Sequence, residues 1–134
     1  MRFCTDRTAA DVENGTSKGC YTYLDLNRVE QAVETLCKLT PLLDISLQLR
    51  TVTDWGSAQE IPTRAEMVRY LENIRSLTRA VNITVPLPET MEYLDFSGAN
   101  QMEIALQQAE FRIRSILQTY QMSGELIAGE ENGI

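Results

Sequence analysis

Residues 100–120 read NQMEIALQQAEFRIRSILQTY, and the spacing of their apolar positions decides the fold. Met102, Leu106, Ala109, Ile113, Ile116 and Tyr120 recur at intervals of four, three, four, three and four. That is the 3.6-residue period of an amphipathic helix, and Ala105 and Leu117 widen its stripe into a face fit for a globular core. Ser97 is the candidate cap, Glu110 and Arg114 are spaced to pair outside the stripe, and Gly124 and Gly129 are expected to end the order. A face of this width needs partners, and the chain upstream supplies two.

Leu26, Val29, Val33, Leu36 and Leu39 form one such stripe, with Arg28, Glu30, Gln31, Glu34 and Lys38 assigned outside it. Thr22 or Asp25 can cap this helix, and Pro41, which has no amide hydrogen, places its end near Thr40. Met67, Tyr70, Ile74, Leu77 and Val81, supported by Leu71, form the second. Thr63 and Glu66 have the spacing of a capping box, with Ile61 placed to act as a hydrophobic staple.

The connectors change period. Leu43, Ile45, Leu47 and Leu49 alternate with polar residues, which suggests a strand over 43–51 with Val52 out of phase; a helical reading of this stretch stays open. Ile83, Val85 and Leu87 alternate as well and suit a short edge strand against it, because Pro86 lacks a donor. Trp55, in a loop with Gly56 and Ser57, reads as a lid over the core or as a ligand platform. The expected fold is therefore mainly α, with α+β possible: three amphipathic helices packed together, with one or two short strands in the connectors. Residues 1–20 read as an N-terminal arm, 21–120 as the helical core domain and 121–134 as an acidic flexible C-terminal tail. The arm has a possible turn capped by Asp6 and only Phe3, Ala10 and Val12 as apolar anchors. It either folds back loosely or docks on a neighbouring subunit.

The chemistry-bearing residues are sparse. The 134 residues include 12 basic and 19 acidic side chains, a net charge of −7 that phosphate backbones would repel, so nucleic acid is not an expected partner. The absence of histidine removes imidazole-based catalysis and metal binding. Cys4, Cys20 and Cys37 form no CxxC pair and read as reduced thiols, Cys37 as a small core residue. No phosphate-binding glycine pattern occurs, no run reaches transmembrane length, and the polar opening residues do not read as a signal peptide. Glu89, Glu92 and Asp95 are the acidic set that would bind a cation or act as acid and base if they converged, but helix-start charge and loop solvation are the preferred account of them. No catalytic residue, cofactor or metal is therefore expected.

Three stretches carry a family likeness. TDRTAADV at 5–12, KGCYTYLDLNRVE at 18–30, and Thr53-Asp54-Trp55 leading into Ile61-Pro62-Thr63 together resemble a small module of structural proteins encoded by bacteriophages and prophages of Gram-positive bacteria. In that family a DRTxxDV leader is often followed by KGxYNxxDLNRVE, and Pro86-Leu87-Pro88 and Ala99-Asn100 match its later connector and helix start. The likeness touches most of residues 5–117. The chain departs from the pattern in its short link at Glu13–Ser17 and in Thr22, where asparagine is frequent.

The resemblance implies a non-enzymatic virion component of the tail, baseplate or adsorption apparatus. Such a component is made in the bacterial host cytoplasm and works in many copies beside other phage structural proteins, without membrane insertion. Partner contacts are then expected at Phe3, Asp6, Arg7, Asp11 and Val12 of the arm and at Arg28 and Glu30 of the first helix. The last two read equally as ordinary surface residues. The alternative is a cytosolic adaptor or assembly chaperone for a phage protein.

Overall fold

Three long helices, α2 (Tyr23–Leu39), α3 (Arg64–Ala80) and α4 (Phe96–Gly133), pack on one another, and a short α1 (Ala9–Glu13) precedes them. The computed structural model describes residues 1–56 and 62–133, with side chains to Thr119. The three apolar stripes read from the sequence meet in one core, where Val29, Leu36, Ile74, Leu77, Met102, Leu106, Ala109 and Ile113 lose all solvent contact. At 38 residues α4 is about 57 Å long, against about 25 Å for each 17-residue partner. It continues through Gly124 and Gly129, where the sequence suggested an end to order and the start of a tail.

Helix starts follow side-chain chemistry. Thr22 caps α2, and the Asp25 carboxylate accepts the Thr22 amide at 2.8 Å. Thr8 and Asp11 make the same reciprocal box at α1, in place of a turn capped by Asp6. At α3 the box is only half made: Thr63 accepts the Glu66 amide at 3.2 Å, while the Glu66 carboxylate turns to Arg50 and Arg69. The cap of α4 is Asp95, whose Oδ1 accepts the Gly98 amide at 2.7 Å, and not Ser97. The proposed staple residue, Ile61, lies outside the described residues.

The expected strands are not there. Among the described residues no strand forms, and the architecture is four α-helices with a 3-10 turn at Thr40–Leu43. The alternation itself is real: Leu43, Ile45, Leu47 and Leu49 each pack against the core while the residues between them face solvent. Ile83 and Leu87 pack against the core as well, with Thr84 and Pro86 exposed and Val85 half-buried between them. What is missing is a backbone ladder. Each extended connector lies as a strap across helices, and helix side chains bond its backbone groups. Asn73 Nδ2 and Arg69 Nη1 donate to the Arg50 carbonyl at 2.7 and 2.8 Å, Cys37 Sγ to that of Leu47 at 3.4 Å, and Arg75 Nη2 to those of Pro88 and Glu89 at 2.7 and 3.0 Å. Period two reports which side chains face the core, whereas a sheet also requires a second strand within about 4.8 Å.

Because the helical interface carries the core, Leu106→Ala is expected to lower the unfolding free energy by about 2–5 kcal/mol in urea titration. Leu24→Ala, at a 63% exposed position on α2, should change it by no more than about 0.5 kcal/mol.

Candidate functional site

Glu103 sits within the apolar stripe of α4, four residues after Ala99 and three before Leu106, and is fully buried. A carboxylate there is tolerable only if its oxygens are bonded and its charge matched. Arg28 from α2 meets it two-pronged, Nε to Oε1 at 3.0 Å and Nη2 to Oε2 at 2.7 Å. Arg7 from the arm approaches Oε2 at 2.5 Å and Asp25 Oδ1 at 3.2 Å, and Arg28 Nη2 also reaches Asp25 at 2.8 Å. The Cys4 amide donates to Oε1 at 3.0 Å. Two cations and two anions thus close a neutral cluster. Hydrogen bonding to Glu103 raises the Arg28 pKa above its ordinary value; at Arg7 burial acts downward, and the Glu103 bond and charge outweigh it.

The cluster fastens the arm. Arg7 is 5% exposed, its amide and guanidinium donate to Asn100 Oδ1, Asn100 Nδ2 returns a bond to the Arg7 carbonyl at 2.9 Å, and its guanidinium lies 5.6 Å from the Tyr21 ring centroid. Behind it the Tyr21 and Tyr70 hydroxyls bond to each other, and burial raises the pKa of both. The arm therefore folds back on its own chain, tightly and not loosely.

Glu30, assigned by sequence to the outer face of its helix, is 2% exposed. Four residues after Leu26 and three before Val33, it lies within the buried stripe of α2. Arg69 of α3 grips it bidentately at 2.6 and 3.1 Å, and it accepts the Trp55 indole N–H at 2.5 Å and the Val52 amide at 3.1 Å. The Glu30 hydrogen bond holds the Arg69 pKa above its ordinary value. Asn27 satisfies both backbone groups of Trp55, accepting from the amide at 2.7 Å and donating to the carbonyl at 2.9 Å. Trp55 is buried in the core, so the lid reading describes it.

The other expected contact residues spread out. Phe3 is half-buried against the core, Asp6 is exposed and pairs with Lys18 at 3.0 Å, and Asp11 closes the α1 capping box. Val12 is half-exposed beside a recess of about 420 Å³. Glu89, Glu92 and Asp95 are exposed, Asp95 serves as a cap, and no group of three potential ligands is placed to hold a metal among the described residues. The three cysteines are free thiols. No described helix is long and apolar enough to cross a membrane. No described buried side-chain nitrogen or oxygen lacks a hydrogen-bond partner.

A cleft of about 670 Å³ opens between α3, the start of α2 and the 89–94 loop, and a shallower recess of about 710 Å³ runs along α4 beside Ile83 and Phe111. The sequence gives no sign of the cleft. Its walls come from residues assigned to a helix stripe and a connector, and only the fold brings them together. No family model, curated protein or solved structure matches the chain.

Two tests follow from the clusters. Arg7→Met should cost about 3 kcal/mol in equilibrium unfolding, the low end for a broken buried ion cluster because Arg28 still faces Glu103. Lys18→Met, at an exposed pair, should leave the midpoint nearly unchanged. At Glu66, burial acts upward on the carboxyl but the Arg50 and Arg69 hydrogen bonds outweigh it, so its pKa lies below the ordinary value. Its stabilising contribution is complete above the unfolded glutamate pKa, near about 4.3, and is lost as pH falls through the lower folded value. Glu66→Gln should therefore weaken the protein at neutral pH, and the stability curves of variant and parent should converge in acid.

Proposed function

We propose that the chain is a non-enzymatic structural or connector component of a bacteriophage tail, baseplate or related tail-like particle, present in many copies among other phage structural proteins. The observation that carries the non-enzymatic part is the use of the buried polar groups. Glu30, Glu103, Asp25, Arg7 and Arg69 bond to one another and to backbone, and each holds one chain segment against another. A reaction centre needs a nucleophile or base aimed into a space where substrate can sit. The open cleft instead has a mainly apolar lining, which suits the binding of a protein segment.

The particle context rests on the resemblance of residues 5–117 to phage structural modules. Arg7 is held by its own chain, while Asp6 and Val12 keep exposed surface, so the partner surface of this reading takes in those arm residues beside the helices and the 89–94 loop. Arg28 and Glu30 act in it as fold-holding residues. Synthesis in the bacterial host and incorporation into the virion belong to the same proposal.

Mass spectrometry of particles purified from a host carrying the gene tests it. Peptides of the chain are expected at a fixed ratio to the main tail proteins, through density-gradient purification. Recovery only from host cytosol, bound to unassembled phage protein, would favour the adaptor or chaperone alternative and reject the structural role.

A further inference from the structure

The open cleft has a floor, a wall and a charged rim. Leu26, Met67, Leu71 and Leu94 line its apolar interior, and Met91 and Tyr93 from the 89–94 loop form one side. Tyr93 is 99% exposed and holds φ at +56°, a left-handed conformation that costs a bulky residue energy. The loop is not loose at its base, because Arg75 donates to the carbonyls of both Pro88 and Glu89. A strained backbone that presents an aromatic ring wholly to water, over an apolar recess, has the geometry of a binding anchor. Two methionines in the recess supply surface that adapts to the shape of an incoming chain.

Charge selects the partner. Glu89 and Glu92 stand exposed on the loop wall, and neither side chain forms an ion pair among the described residues. Of the basic residues at the cleft, Arg75 is engaged with Glu72 and the loop carbonyls, which leaves Arg64 at the first turn of α3. The loop wall is thus acidic, on a chain of net charge −7. We propose that this cleft receives an apolar segment flanked by lysine or arginine from another protein, with Tyr93 packing over the segment and Glu89 and Glu92 facing its basic residues. The inference rests on the structural reading above, for which it names the contact surface and the chemistry of the partner.

The chain contains five methionines, two in the cleft, and Met102 in the core is an internal control. The full chain, labelled with ¹³C at methionine methyls, is titrated with a 14-residue amphipathic leucine–lysine peptide and with its leucine–glutamate counterpart. The lysine peptide should shift the Met67 and Met91 signals, leave Met102 in place and bind at least about ten-fold tighter than the glutamate peptide. Tyr93→Ala should weaken it about ten-fold with the fold intact by circular dichroism, and the Glu89→Lys, Glu92→Lys double variant should reverse the preference.

Equal binding of the two peptides, no methyl shift, or shifts confined to other methionines would overturn the proposal. So would methyl contacts to Ile61 or to a second copy in the peptide-free protein, since the cleft would then already have an occupant. Because this experiment uses the isolated chain, it can fail while the chain is found in particles. It can equally succeed while particles lack the chain, which separates the cleft from the particle assignment.

Discussion

A fully buried carboxylate, Glu103, constrains the whole assembly of this protein. An unmatched charge at that depth would cost several kcal/mol, so the fold must deliver cations and donors to it. It draws Arg28 from α2, Arg7 and the Cys4 amide from the arm, and through those two arginines it draws in Asp25. Helix α4 cannot slide along α2 without parting these groups, and the arm cannot lift without leaving the carboxylate one cation short. Apolar packing supplies the bulk of the stabilisation, and it tolerates sliding. The ionic cluster does not, and so fixes register.

Glu30 repeats the arrangement on the other side of α2. One carboxylate holds Arg69 of α3, the Val52 amide and the Trp55 indole, so a helix, a strap and a loop converge on two oxygens. Asp25, Asn27, Arg28 and Glu30 all belong to the single run DLNRVE, and Leu26 and Val29 between them lie in the core. Each of the six residues holds some part of the fold. The run is therefore a fold-holding element, in which six consecutive residues tie α2 to the arm, to α3, to α4 and to the Trp55 loop.

The three long helices were legible because a 3.6-residue apolar period sustained over four or more turns fits an amphipathic helix and no strand. The straps were half legible: alternation identified Leu43, Ile45, Leu47 and Leu49 as core-facing, but no local pattern distinguishes a paired strand from an extended segment tied down by Asn73, Arg69 and Arg75. The buried acids are not legible from charge alone, because a charged residue on an amphipathic helix ordinarily marks its outer face. Their positions carried the signal. Glu30 follows Leu26 by four and precedes Val33 by three, and Glu103 stands in the same relation to Ala99 and Leu106, so an acid inside each apolar stripe called for a matching cation elsewhere in the chain. The cleft had no such signal, since Met67 and Tyr93 come together only through the packing of α3 against the 89–94 loop.

The distance along the chain between the arm and its anchor has a consequence for folding order. Arg7 and Glu103 are 96 residues apart, and Cys4 and Glu103 are 99 apart. On a ribosome adding about 5–20 residues per second, roughly 5–20 s separate the appearance of the arginine from that of its carboxylate. Throughout that interval Arg7 has Asp25 and Tyr21 within reach but lacks the carboxylate that anchors the arm to α4. Closing so long a loop costs entropy that is recovered once α2 and α4 have met, so the arm's bond to Glu103 depends on helices already packed. The clamp thus acts as a latch across helices already in place, tying one chain segment to both α2 and α4.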